Sequence, residues 1–535
     1  MKYKFNIKNL ILTFVLGLVG YFIFLPPLNV TSMQFWLFIM FLLFVFIFIN
    51  IIGVLGIKII KVRKVNGDMI GKLPFVLFLI PILIMIVNFI LSPVFNSKAF
   101  SNRINVVEDT EESNFISDVS EVDFSSLPLL DKDSSSRLGD RVMGQMPELV
   151  SQFYVSSLYT QINYNNEIVR VTPLEYNGLF KYISNYKGGV KGYITVNSTS
   201  GEADLIKLDN GMKYMPSAYL MKDLARHLRF KYPTKIFGQS NFEIDNDGNP
   251  YWITPTLSYV GVELREDVSG LIITDAITGK CEYYDVDEVP SWVDHVYNAD
   301  LIISMVNDWG KYREGFFNSI FGQKNVVATT SGYNYMVMDD DVYLYTGITS
   351  VSSDESNLGF ILTNMRTKET RFYSVPGAEE YSAMSSATGQ VQQMRYTSTF
   401  PLLINLHNRP TYLVSLKDDA GLVKMYGFID VNDYQKVVVT DSSKGIESAA
   451  NNYLNNVTFD MDNSLLDEKT ITIKSVNSAI IDGNTYYYFV DNNNKKYYVS
   501  INVDSKNLPF VKVGDALNIK IYDEKEVTEI LDIIK

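Results

Sequence analysis

Side chains able to carry acid–base, nucleophilic or metal chemistry are few in this 535-residue chain: three histidines, one cysteine and some clustered carboxylates. His227 falls in a helical stretch beside Arg226 and Arg229, His295 follows Asp294, and His407 precedes Asn408 at an expected hairpin turn. No two histidines stand four apart, so the helical zinc pair is missing. No Gly-x-Ser-x-Gly nucleophile elbow occurs either. Cys281 lies in an expected strand, where a thiol reads as a small buried hydrophobe. Asp245-Asn-Asp-Gly-Asn249 has part of the spacing of a calcium loop, but the full order of ligands and the distant glutamate are absent. Its Asp-Gly is what a hairpin turn asks for. Asp339, Asp340 and Asp341 read as an exposed turn, and Glu379 and Glu380 as the acidic opening of a helix, where the dipole favours them. Paired carboxylate catalysis by Glu379 and Glu380 is the rival reading. No catalytic, cofactor-binding or metal-ligating residue is assigned.

Charge is unevenly distributed along the chain. Residues 1–97 hold eight of the 47 basic and one of the 60 acidic side chains, a net of +7; the remainder carries −20. An acidic body of that size repels nucleic acid and anionic lipid headgroups, so no nucleic-acid partner is expected. A single cysteine excludes an intramolecular disulfide, which a large secreted domain of a eukaryote would usually contain. The Lys-, Asn-, Ile- and Tyr-rich composition resembles that of an AT-rich bacterial genome, placing the protein at the envelope of a Gram-positive bacterium.

Three apolar runs, from Leu10 to Leu25, Met33 to Ile57 and Leu73 to Leu91, approach or exceed the ~20 residues that cross a bilayer. They predict a three-helix transmembrane anchor over 1–95, with Asn50 and Asn88 bonding between helices and Pro81 kinking the third. No ionisable residue falls inside the runs, which argues against a transport path. Lys2, Lys4 and Lys8 precede the first run, and Lys58, Lys61, Arg63, Lys64 and Lys72 separate the second from the third. The positive-inside rule therefore puts the amino terminus in the cytoplasm and everything beyond Leu91 outside, as a multi-pass protein of the cell membrane with an extracellular carboxyl-terminal domain.

Residues 96–133 are rich in serine and acid and read as an acidic stalk. Beyond them a pattern recurs: Gly192-Tyr-Ile-Thr-Val-Asn-Ser-Thr-Ser-Gly201-Glu, then Gly270-Leu-Ile-Ile-Thr-Asp-Ala-Ile-Thr-Gly279-Lys, then Gly359-Phe-Ile-Leu-Thr-Asn-Met-Arg-Thr-Lys-Glu369. Each is a strand, a polar turn and a returning strand. Helical stripes precede two of them: Leu220, Leu224 and Leu228 within Ser217–Tyr232, and Val293, Tyr297, Leu301, Met305 and Trp309 within Ser291–Tyr312. The exterior is thus segmented into α+β modules, each a helix followed by an antiparallel sheet, at 134–210, 211–289, 290–376 and 377–440. A helical connector spans 441–464.

A helix followed by a hairpin with Asn197 to Glu202, Asp275 to Lys280 or, less closely, Asn364 to Glu369 at its turn is similar to PepSY-type domains. That resemblance covers about a third of the chain and implies small extracytoplasmic modules that modulate another protein. In residues 465–535, short strands such as Asn484–Val490 and Val513–Ile521 suggest a small five-stranded β-barrel resembling an OB-fold. Its tyrosines, Tyr486, Tyr487, Tyr488, Tyr497 and Tyr498, alternate as cross-strand packing requires.

These readings converge on a membrane-anchored, non-catalytic interaction or regulatory protein. The expected partners are the lipid bilayer and an envelope protein or peptide, with no cofactor and with oligomerisation open. The alternatives are an envelope hydrolase or transferase and an accessory subunit of a membrane complex.

Overall fold

The computed structural model describes residues 7–58, 73–110, 113–124, 127–165, 167–338, 341–351, 356–457, 467–481, 484–501, 503–521 and 527–534. The chain divides into two compact units. One comprises Met1–Ser382 with Leu402–Pro410, the other Ala383–Pro401 with Thr411–Lys535.

The expected three-span membrane anchor is corrected by the structure, in which sheets predominate. Among the described residues no single helix is long and apolar enough to cross a membrane. The amino-terminal helices run Ile7–Phe24, Met33–Lys58 and Leu73–Leu91, but the apolar helical runs within the first two cover only Asn9–Phe24 and Met33–Ile49. Leu25, with φ +50°, and the prolines after it end the first helix. The third is broken at Ser92-Pro93: Leu77–Leu91 and Pro93–Ser101 meet at 58° and reach the length and apolarity of a span only as a bent pair. Asn88 does not bond another helix. Its amide donates to Val262 O (3.0 Å) and its carbonyl accepts from Val262 N (2.9 Å), tying the helix to a sheet turn. The basic loop after Lys58, and the side chain of Asn50, lie outside the described residues.

Residues 96–133 are not a stalk. The helix Pro93–Ser101 packs on the helix Ala299–Tyr312, and Val106–Glu108 adds a parallel strand beside Thr370–Tyr373. Asn114 caps the short helix Phe115–Asp118 in a capping box. Packing outweighs the polar composition because Phe100, Ile104 and Phe115 are interspersed in it and become buried.

Four sheets then follow one another with one strand order, in which the first strand of each lies beside the third, followed by the fourth and fifth. The first sheet joins Phe153–Val155, Glu167–Tyr176, Val190–Asn197 and Ala203–Met212. The second joins Ile236–Phe237, Pro250–Val260, Arg265–Asp275 and Cys281–Tyr284. The third joins Val327–Thr329, Asp341–Ser350, Ser356–Asn364 and Thr370–Tyr373. In the second unit the fourth joins Thr397–Ser398, Pro410–Lys417, Val423–Asp430 and Val437–Asp441. In the first three, the remaining strand (Thr160–Tyr164, Asn241–Ile244 or Asn334–Met338) pairs with the third.

Period-two alternation explains how the first three sheets stack. Trp252 and Ile272 of the second sheet enter a core with Val171, Tyr193 and Ile194 of the first. Their neighbours Ile253, Leu271 and Ile273 enter a different core with Val342, Leu344 and Ile361 of the third. A strand buried on both faces reads as an unbroken apolar run, which is what Leu271-Ile-Ile273 is. The helices are shorter than the leucine and aromatic stripes imply: Leu224–Lys231 and Ala299–Tyr312. Leu220 falls in a 3-10 turn and faces outward, while Val293 and Tyr297 reach the core from the irregular segment before the helix.

The carboxyl-terminal barrel is also corrected. It is a curled sheet of six strands in the order Val527–Glu529, Lys496–Ser500, Asn484–Asp491, Asp467–Ile481, Ala516–Ile521 and Asp532–Ile534. The long strand Asp467–Ile481 is shared: residues up to Thr472 pair with Ala516–Ile521, and those from Ile473 with Asn484–Asp491. Its core includes Ile471, Phe489, Tyr497 and Ile519.

Candidate functional site

On the first sheet, successive strands place alternate residues on one face. The register sets Val169 opposite Asn197, Thr195 opposite Asp204, and Tyr193 opposite Ile206. Above this face stands the Asp245–Asn249 turn of the second sheet. Between them opens a cleft of about 560 Å³, floored by Val169, Tyr193, Ile206 and Ile244. Glu167, Glu202, Asp204, Asp209 and Asp247 line it, with Lys207 as the one cationic side chain there among the described residues.

The turn above the cleft is self-contained. Asp245 Oδ1 accepts from Asp247 N (3.0 Å) and Asn249 N (2.8 Å), and Asn249 Nδ2 donates to Asp245 Oδ2 (2.9 Å). The Asp245 oxygens thus fix the local geometry of the turn. Tyr193 Oη donates to Gly248 O at 2.8 Å, fastening the turn to the floor. Gly248, at φ +79°, lets the two tyrosine hydroxyls approach: a Cβ there would sit 3.2 Å from Tyr193 Oη and 3.5 Å from Tyr164 Oη.

Sequence reasoning did not anticipate a buried polar cluster where elements of all three stacked sheets meet. Glu243 is fully buried, and its carboxylate accepts from Asp294 N (3.0 Å). Asp294 Oδ2 accepts from Asn163 N (2.8 Å), and His295 Nε2 donates to Gln161 O (2.6 Å). The Tyr335 ring stands edge-on to His295 at 5.5 Å. Burial pushes Glu243 up to about 7 and His295 down to about 4, and lowers the buried Arg170 guanidinium to about 10. His295 is therefore a neutral linker between elements. The signal available in sequence was the Asp294-His295 pair ahead of a helix, with nothing to name its partners.

The other residues singled out by type are dispersed. His227 Nε2 lies 2.8 Å from Gly279 O, with its ring 4.5 Å from Tyr214. His407 occupies a left-handed turn, its Nε2 3.9 Å from Glu121 Oε1. Cys281 is buried, which raises its thiol pKa, and accepts from Thr274 Oγ1 at 3.4 Å. Asp339 and Asp340 lie outside the described residues. Asp341 is not an exposed turn residue: it is buried against Arg366, whose Nε and Nη2 donate at 2.8 and 2.7 Å. Glu380 is fully buried and raised by desolvation, with Asn357 Nδ2 at 3.4 Å, whereas Glu379 is half-buried. The two carboxylates of the rival hydrolytic reading thus occupy unlike surroundings. Among the described residues no group of three or more His, Cys, Asp or Glu could hold a metal ion.

In the second unit, a hollow of about 250 Å³ lies between the helix Ile446–Asn456 and the last sheet. Tyr486, Tyr488 and Tyr498 line it, with Asn452, Asn455 and Glu529.

No family model matches the chain, and no curated protein matches it. Among solved structures, it is similar to a Bombyx mori GH32 beta-fructofuranosidase in complex with sucrose, at 11% identity and a TM-score of 0.19. That alignment covers 67% of this chain and 62% of the other, so the chain spans under two thirds of the enzyme's length. A likeness at that score carries no argument about fold or activity.

Proposed function

We infer that this is a bilayer-attached envelope protein whose first and second sheets present the acidic cleft to a cationic, extended segment of a protein or peptide partner. The observation that carries the reading is the cleft itself. Its five carboxylates against one lysine border an apolar, tyrosine-bearing floor, which suits the aliphatic stem and charged head of Lys or Arg side chains. The PepSY-like turns, with the modulation of another protein that they imply, point the same way.

Oligolysine binding to the full chain tests it, measured by calorimetry at two salt concentrations. Asp204→Lys with Asp209→Lys should weaken binding about tenfold, equivalent to about 1.4 kcal/mol, and flatten the salt dependence. The same charge change at the exposed Asp419 and Glu447 in the second unit should leave it unaltered. Equal losses from both pairs would reduce the effect to overall charge and remove the cleft from the reading.

A further inference from the structure

The amino-terminal helices leave much apolar surface uncovered. Phe14 is 65% exposed and Phe78 70%, with Ile11, Leu18, Leu83 and Ile86 also exposed. So large a face on the outside of a protein marks a surface with an apolar partner. The bilayer attachment inferred under Proposed function supplies that partner, and the assignment of interfacial residues rests on it.

The ends of these helices are fixed to the first unit at defined points. Arg229 Nε donates to Leu25 O at 3.0 Å, and Leu28 N to Pro233 O at 2.7 Å. Glu263 Oε1 accepts from Met33 N at 2.9 Å, at the start of the second helix, while Asn88 holds Val262 near the end of the third. Two clusters on the sheet-bearing body continue outward from these points. The Arg226 guanidinium donates both to Phe22 O (3.4 Å) and to Leu220 O (3.1 Å), so the Tyr219–Met221 turn sits beside the first helix's end. Tyr219 in turn packs 5.3 Å from Tyr182, whose helix Leu179–Asn185 carries Phe180 at 81% exposure. At the end of the third helix, Phe89 packs on Phe95 at 5.4 Å. Phe100, in the helix after it, leads through Tyr312 (6.0 Å) and Phe316 (6.4 Å) to Phe317. The next turn exposes Ile320, and Phe321 at 80%.

We propose that these two clusters, Phe180 with Leu220 and Met221, and Phe317 with Ile320 and Phe321, are interfacial wedges that enter the headgroup layer of a lipid bilayer. The first is tied to the end of the first helix through Arg226, and the second follows the third helix through Phe100, Tyr312 and Phe316. Exposed lysines follow in sequence, Lys187 after Phe180 and Lys324 after Phe321, as near interfacial anchors. A water-facing site would leave side chains of this size hydrated at the helix ends, which is unfavourable. In the bilayer interface that cost is relieved.

Site-specific fluorescence on the full chain, reconstituted into phosphatidylcholine–phosphatidylglycerol vesicles, tests the assignment. With Cys281→Ser as background, single cysteines at Phe180, Leu220, Phe317 and Phe321 receive an environment-sensitive dye, as do controls at Phe14 and Asp247. All four wedge labels should shift to the blue and be quenched at least about twofold by nitroxide placed at headgroup depth. The Asp247 label should not respond. Quenching at Phe14 by an acyl-chain nitroxide, without headgroup quenching at both clusters, overturns the wedges and leaves the attachment standing. Absence of quenching at Phe14 as well overturns the attachment itself. The labelled side chains are largely exposed, so their replacement leaves the core intact, which a melting temperature unchanged from that of Cys281→Ser confirms.

Discussion

Glu243 and His295 set opposing dependences on pH within one buried cluster. Glu243 has a folded pKa of about 7 against an ordinary 4.5, so its stabilising effect is complete below 4.5 and is lost as pH rises to 7. His295 has a folded pKa of about 4 against 6.5, so burial costs stability as pH falls from 6.5 to 4. Between 4.5 and 6.5 the two slopes oppose each other. In Glu243→Gln, which keeps an acceptor for Asp294 N, only the histidine slope remains. Denaturation by urea should then show stability falling more steeply from pH 6.5 to 4 than in the native chain, by up to about 3 kcal/mol. A flat profile in the variant would show that His295 does not titrate on unfolding in this range.

At the scale of an element, the three recurrent turns are one piece of geometry written with different residues. Asn197, Asp275 and Asn364 each accept with their side-chain oxygen from the backbone N–H groups two and three residues on, at 2.8–3.0 Å. Gly201, Gly279 and Lys368 occupy the left-handed position after them, at φ +76°, +76° and +66°. Lys368 tolerates it with its Nζ 3.1 Å from Asp267. Equal backbone angles do not mean equal costs of substitution. An added Cβ at Gly201 meets only Leu130, at 3.6 Å, whereas at Gly279 it would fall 2.3 Å from the Tyr214 ring. Gly201→Ala should therefore cost about 1 kcal/mol in thermal unfolding, from the backbone alone. Gly279→Ala should cost at least twice that, from the added overlap. Equal losses would mean that Tyr214 moves aside freely.

At the scale of the molecule, hydrophobic residues are divided among separate cores. Among the described residues, the two cores joining the first three sheets and the core of the carboxyl-terminal sheet, built from residues such as Ile471, Phe489 and Ile530, are separate clusters. Deleting residues 467–535 should leave the first unit's melting transition within a few degrees of its position in the full chain, as scanning calorimetry would show. Loss of that transition would show that the unit cannot fold without the carboxyl-terminal sheet.

Local chemistry determined what the sequence could show by itself. The hairpin turns were legible because an Asx side chain and a left-handed residue at fixed spacing have few other uses. The double-sided strand Leu271–Ile273 was legible as apolar, and the acidity of the body as charge. Side-chain type could not tell an apolar helix that stops at Phe24, or bends at Ser92, from one that runs on, nor a stalk from a packed segment. Those outcomes depend on what lies opposite: Pro233 and Arg229 for the first helix, the helix Ala299–Tyr312 and the strand Thr370–Tyr373 for residues 93–108. The cleft and the Glu243–His295 cluster belong wholly to tertiary structure. Their members are drawn from strands up to about 170 residues apart, and a carboxylate's role is set by its neighbours and its burial.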